Sequence, residues 1–248
     1  MKIQLIRNAT LWLEYAGVKI LVDPMFSDAE ANPPIINSNN DRRNPLVPLP
    51  ADAAVWAQPD LMLVSHLHQD HFDEAAIARL PKTTPVVCQP GNEEQLHGHG
   101  FTDVTSIEST ISTNGITIHR TQGQHGTGEI GQWMGQVSGF VLQAANEPTL
   151  YIAGDTIWCD DVVQALDAYH PDVTVVNAGG AQFVMGDPIT MDAADVIAVC
   201  EHAPYTQVVA VHMDAINHCH VTRDKLRDAL DASGKSYNVR IPEDGEWV

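Results

Sequence analysis

His66, His68, Asp70 and His71 place four side chains able to bind a metal within six residues. Imidazole and carboxylate suit zinc, iron and manganese. A lone histidine is commonly a capping or solvent-facing residue. Four such groups at the end of one apolar run would be costly to bury without a partner that uses them. Three further signals each follow an apolar run. His125 lies between glycines in Gly123-Gln124-His125-Gly126, where the backbone can come close to a site. Asp155 follows Tyr151-Ile152-Ala153-Gly154, and His212 follows Val208-Val209-Ala210-Val211. Strand ends of this kind are where layered folds place function.

Two divalent cations roughly 3.5–4 Å apart can hold a hydroxide between them and polarise a carbonyl or phosphoryl oxygen. Asp70 and Asp155 would balance the metal charge and orient the nucleophile, which makes both catalytic candidates. A leaving group also needs a proton. His218 and Asp214, shortly after His212, are the candidates, with orientation of His212 or a plain loop position as the alternatives. Arg42-Arg43 is the only adjacent basic pair. It reads either as a clamp for a substrate phosphate or carboxylate or as a solvated loop pair. His97-Gly98-His99-Gly100 has no carboxylate near it and reads as a helix exit.

These residues need elements to position them. Ile3 and Leu5, then Leu11, Leu13 and Tyr15, then Val18, Ile20 and Val22 alternate with a period of two, which predicts short antiparallel strands. Residues 25–60 are rich in Pro and Asn and form an expected active-site loop. Leu61 to Val64 reads as a buried strand feeding His66. Strands and helices then alternate. Asp73 caps a helix to Leu80, Asp160-Asp161 open another, Thr190 caps one to about His202, and a last helix runs from Thr222 towards a stop at Gly234. Two sheets face to face with helices outside fit this order.

The composition is compatible with that plan. With 248 residues, 44% of them hydrophobic, the chain can bury one large core, so residues 1–248 are expected to form a single domain. The formal charge of −19 argues against nucleic acid as a partner. No apolar run is long enough for a membrane span, and the start is not that of a signal peptide. Cys88, Cys159, Cys200 and Cys219 are widely spaced, which suits reduced thiols in the cytoplasm. A small-molecule substrate is expected, anionic if the arginine pair clamps it. Self-association is left open.

The ordered set of HxHxDH at 66–71, His125, the Gly154-Asp155-Thr156 turn and His212 resembles the metallo-β-lactamase-fold superfamily. The opening Ala9-Thr10-Leu11-Trp12-Leu13-Glu14-Tyr15, the Val22-Asp23-Pro24 turn and Arg43-Asn44-Pro45 resemble one branch. That branch holds the ascorbate-6-phosphate lactonase-like and N-acyl-phosphatidylethanolamine phospholipase D-like proteins. The resemblance implies an α/β (α+β) fold, a four-layer αββα sandwich. It implies that His66, His68 and His125 bind one metal, that Asp70, His71 and His212 bind a second, and that Asp155 bridges them. Zn2+ is the first expectation, with Mn2+, Ni2+ or Fe2+ as alternatives. The implied activity is hydrolysis of a small ester, lactone or phosphodiester. Other readings are an iron-dependent oxygenase on the same fold and a non-catalytic metal-binding module. Di-iron relatives typically carry Glu at the place of His68, and a module would be expected to lose ligands. One departure stands out: relatives in the branch often have His where this chain has Asn8.

Overall fold

In the computed structural model, which describes residues 1–248, β1 (Lys2–Arg7), β2 (Thr10–Tyr15) and β3 (Val18–Val22) form an antiparallel meander. β4 (Leu61–Val64), β5 (Val86–Cys88) and β6 (Val104–Ser106) extend it in parallel, in spatial order β1 to β6. The second sheet holds β7 (Thr110–Thr113), β8 (Ile116–Gln122), β9 (Ser138–Ala144) and β10 (Leu150–Ile152), all antiparallel. β11 (Val173–Asn177), β12 (Gln207–Val211) and β13 (Val239–Arg240) continue it in parallel.

Alternation along the strands decides the layers. Leu61 and Leu63 join Leu11, Leu13, Phe140, Ile152 and Val209 in the core between the sheets. Met62 and Val64, one step out of phase, belong to a cluster with Ala76 of α1 (Glu74–Arg79), Leu96 of α2 (Glu93–Gly98) and Phe101. On the far side, Tyr151, Val176 and Val208 pack against α4 (Asp160–Tyr169), α5 (Ala193–His202) and α6 (Arg223–Ser233) through Leu166, Val199 and Leu226. Each such side chain contributes about 1.5–3 kcal/mol by leaving water. The result is the expected αββα sandwich. No helix is long and apolar enough to cross a membrane.

Local signals explain most helix ends. Asp73 accepts from the Ala76 amide, Thr222 accepts from Lys225, and Gly234 closes α6 in the left-handed region. The expectation for Thr190 is corrected. Asp192 caps α5 by accepting from Ala194 and Asp195, while Thr190 Oγ1 accepts from the Ala181 amide instead. α3 (Gly128–Met134) and β13 add to the sequence reading.

Residues 25–60 hold little regular structure beyond a short 3-10 turn at Ala53–Trp56. Buried side chains pin the segment down. The Arg7 guanidinium, fully buried, donates to the carbonyls of Met25, Ser27 and Val47. Asn217 exchanges two hydrogen bonds with Asn44, and it donates to Ile35, Ser38 and Asn40.

Candidate metal centre

Four strand exits build the site. β4 runs directly into Ser65 and His66. β9 is antiparallel to both β8 and β10, and β10 to β12 are parallel, so β8, β10 and β12 all point the same way. Their exits deliver His125, Asp155 and His212. Gly154 makes the turn before Asp155 feasible. Its φ is 71°, and a Cβ there would stand 2.6 Å from the Ser138 carbonyl. The Asp155 and His125 loops are laced together: Thr156 Oγ1 accepts from the Gln124 amide, and Ile157 N–H donates to the Gln124 carbonyl.

The side chains converge as two groups. Ligand atoms of His66, His68 and His125 lie within 4.8 Å of one another, and so do those of Asp70, His71, Asp155 and His212. Asp155 stands between the groups. Its Oδ2 is 3.9 Å from His66 Nε2, 3.5 Å from His125 Nε2 and 3.2 Å from His71 Nε2. Its Oδ1 is 3.7 Å from His212 Nε2 and accepts a 2.6 Å hydrogen bond from Asn177. Asp70 Oδ2 is 3.3 Å from His212 Nε2.

Outer contacts aim the rings. His71 Nδ1 donates to Asp23 Oδ2 at 2.8 Å, and His125 Nδ1 donates to the Ile189 carbonyl at 2.7 Å. Ser65 Oγ–H donates to Asp23 at 2.6 Å, so the Ser65 oxygen accepts from His66 Nδ1 at 3.0 Å. His212 Nδ1 faces Cys219 Sγ at 3.5 Å. Each contact occupies Nδ1 and turns Nε2 inward. The Nε2 atoms of His71 and His212 are buried and have no hydrogen-bond partner. Inward-facing Nε2 atoms without a hydrogen-bond partner are positions a divalent cation would take in exchange for a proton, so these residues fit one.

The charges agree. Burial keeps His66 and His125 neutral, with pKa values below the usual imidazole range. For His71, burial opposes charge, but the carboxylates of Asp155 and Asp23 outweigh it and hold its pKa near 10. His212 is raised likewise by Asp155, against its burial. Burial would raise the pKa values of Asp70 and Asp155, but the neighbouring histidines pull both well below the carboxylate range. Protons on His71 and His212 thus occupy the place of cationic charge.

A cavity of about 190 Å³ opens over Asp70, His125 and Asp155. Ile35, Met134, Phe183 and Ile189 form its apolar walls, and His218 borders it with an Nδ1 that has no partner. Asp214 instead pairs with Arg223 at 3.1 Å. Arg42 and Arg43 do not reach this cavity. Arg42 donates to the Leu46 carbonyl, and Arg43 donates to those of Glu30 and Ala31, all on the exposed outer side of the loop. The clamp expectation is corrected accordingly: the loop reaches the site through Ile35. His97 Nδ1 pairs with the Phe101 carbonyl at the exit of α2, as expected. A cavity of about 570 Å³ lies beside α6 and the C-terminal residues and contains none of these side chains.

Sequence reasoning missed Asp23, Ser65, Asn177 and Asn217 as site residues. The Val22-Asp23-Pro24 turn and the Asn217-His218 pair are their only local signals.

The beta-lactamase superfamily domain profile matches residues 18–213. The UPF0173 protein YddR of Bacillus subtilis is 35% identical over 250 residues, covering 99% of this chain and 98% of its own. A UPF0173 metal-dependent hydrolase of Methanospirillum hungatei is 31% identical over 200 residues, covering 79% of this chain and 81% of its own. The chain belongs to the UPF0173 family. This UPF0173 protein also matches the crystal structure of an isothiocyanate hydrolase from Delia radicum gut bacteria. That match has 35% identity and a TM-score of 0.96, and covers 100% of this chain and 98% of the other. The family is one of metal-dependent hydrolases on the metallo-β-lactamase fold.

Proposed function

We propose that this protein is a two-cation hydrolase that adds water to an electrophilic carbon of a small uncharged molecule, an isothiocyanate being the foremost class. The observation that carries the two-cation reading is Asp155, whose carboxylate lies within 4 Å of histidines in both ligand groups. His66, His68 and His125 would hold one cation, and Asp70, His71 and His212 the other, with Asp155 shared. Bound divalent cations would supply Lewis acidity that activates water near neutral pH and polarises the electrophile. Zn2+ is the first metal to test, followed by Mn2+, Ni2+ and Fe2+.

The walls support the substrate class. Ile35, Met134, Phe183 and Ile189 give the cavity apolar walls, and no Lys or Arg borders it. Apolar walls with no Lys or Arg to pair a remote anionic group favour a neutral substrate over a phosphodiester. The isothiocyanate hydrolase with 35% identity over the whole chain points to the same chemistry. In that reaction the water oxygen bonds to the central carbon, both water hydrogens end on nitrogen, and the C–N bond breaks. The products are a primary amine and carbonyl sulfide. Asp70 and Asp155 would orient the incoming water, and His218, which borders the cavity, would hand a proton to nitrogen. The net charge of −19 and four free cysteines support a protein that works on small molecules in a reducing cytoplasm rather than on nucleic acid.

The test is a panel of an alkyl isothiocyanate, a neutral lactone and a phosphodiester, offered to protein reconstituted with each metal. Release of amine from the isothiocyanate is expected. Preferential cleavage of the phosphodiester would overturn the substrate class.

A further inference from the structure

A second chamber of about 350 Å³ adjoins the metal centre, and its chemistry is unlike the first. His66 and His68 form one wall, and Met134 at the end of α3 borders both chambers. The remaining polar lining is built from carboxamides: Gln89, Asn92, Gln95 and Gln136. Apart from the two histidines, no ionisable side chain lines it. Gln89 is already committed, because its amide donates to the Gln136 carbonyl and its oxygen accepts from Ser138. Asn92 is not: its Oδ1 is buried without a partner. Such an atom costs about 1–3 kcal/mol unless something donates to it.

We propose that this chamber is a substrate subsite for an uncharged arm that both donates and accepts hydrogen bonds, such as a primary carboxamide. The inference rests on the hydrolytic reading above and adds the part of the substrate that does not react. No ionised side chain pairs a full charge there, whereas a carboxamide meets its own kind: its N–H reaches the side-chain oxygen of Gln95 or Gln136 and its oxygen meets the amide of the other. The reacting carbon sits in the apolar chamber, and the arm passes Met134 into the polar one. Binding energy gained there lies away from the scissile bond and acts on capture of the substrate.

The test uses two alkyl isothiocyanates of equal length, one ending in a primary carboxamide and the other in a methyl group. Metal-loaded wild type is expected to show a KM about tenfold lower for the carboxamide, the effect of two neutral hydrogen bonds. Gln95→Leu with Gln136→Leu should raise that KM to the level of the methyl compound, with kcat for both within about twofold. Equal KM values in wild type, or equal losses on both substrates in the variant, would overturn the subsite. Saturation-transfer NMR with the carboxamide-ended alkylamine needs no turnover. Contact at the carboxamide end in wild type and its loss in the variant support the subsite. Contact that is absent or unchanged overturns it, whether or not isothiocyanates are hydrolysed.

Discussion

Asp23 holds His71 through a 2.8 Å hydrogen bond to Nδ1, and the same carboxylate reaches His66 through the Ser65 hydroxyl. One buried residue on the turn after β3 therefore aims a ligand in each of the two groups. Asp23→Asn would set an amide against donors that need an acceptor. We expect metal affinity and kcat/KM to fall about 10–100-fold, the range for outer contacts of metal ligands. Metal titration and kinetics on the same preparation check this, and unchanged affinity would remove Asp23 from the site.

Asp155→Ala should cost more than the roughly 10–100-fold expected for an outer contact, because the lost carboxylate faces both groups. Metal content after loading and desalting should drop from about two per chain to one or none. Activity within a few-fold of wild type would show that Asp155 is not shared.

Asn8 joins the Asp70 and His212 loops. Its Nδ2 donates to the Asp70 carbonyl at 2.9 Å, and its own carbonyl accepts from the His212 amide at 2.9 Å. Asn8→Asp removes the donor and should weaken the cation held by Asp70, His71 and His212 by about tenfold or more. Asn8→His keeps a ring N–H and should retain that cation. Metal retention in the two variants gives the answer, and equal retention would deny Asn8 a positioning role.

In the metal-free protein, His71 keeps its proton up to about pH 10. A raised imidazole pKa stabilises the fold fully below about 6.5 and ceases to do so as the pH climbs through 10. A cation needs the same Nε2 atom unprotonated. Metal uptake at pH 7–8 should therefore release protons, and affinity should rise with pH across that range. Calorimetric titration in two buffers of different ionisation enthalpy counts the protons. Uptake without release would contradict the protonated pair.

Arg42→Ala combined with Arg43→Ala should leave kcat/KM within about twofold on charged and neutral substrates alike, as expected of exposed side chains outside the cavity. A loss confined to anionic substrates would restore the clamp.

The sandwich and its ligand-bearing loops are legible in the sequence because each ligand follows an apolar strand, and strand periodicity is a local property. His66, Asp155 and His212 announce themselves in this way. Other features depend on contacts far along the chain. Thr190 and Asp192 are both good caps two residues apart, and only the Ala181 amide, which claims Thr190, decides between them. Arg42 and Arg43 have a composition that suits a substrate clamp. Their destination depends on loop carbonyls that no periodicity reveals. α3 carries two glycines in seven residues and buries none of its side chains, so it has neither propensity nor an apolar face to betray it.

The ligands come from both sides of the sandwich: four from the exit of β4, and three from the exits of β8, β10 and β12. A cation held by Asp155 and the β4 histidines would therefore be a rivet through two plates. Peeling one sheet from the other must break coordinate bonds before it exposes the apolar interior. The loaded protein should consequently resist forced separation along that seam, and lose its grip abruptly rather than by gradual fraying.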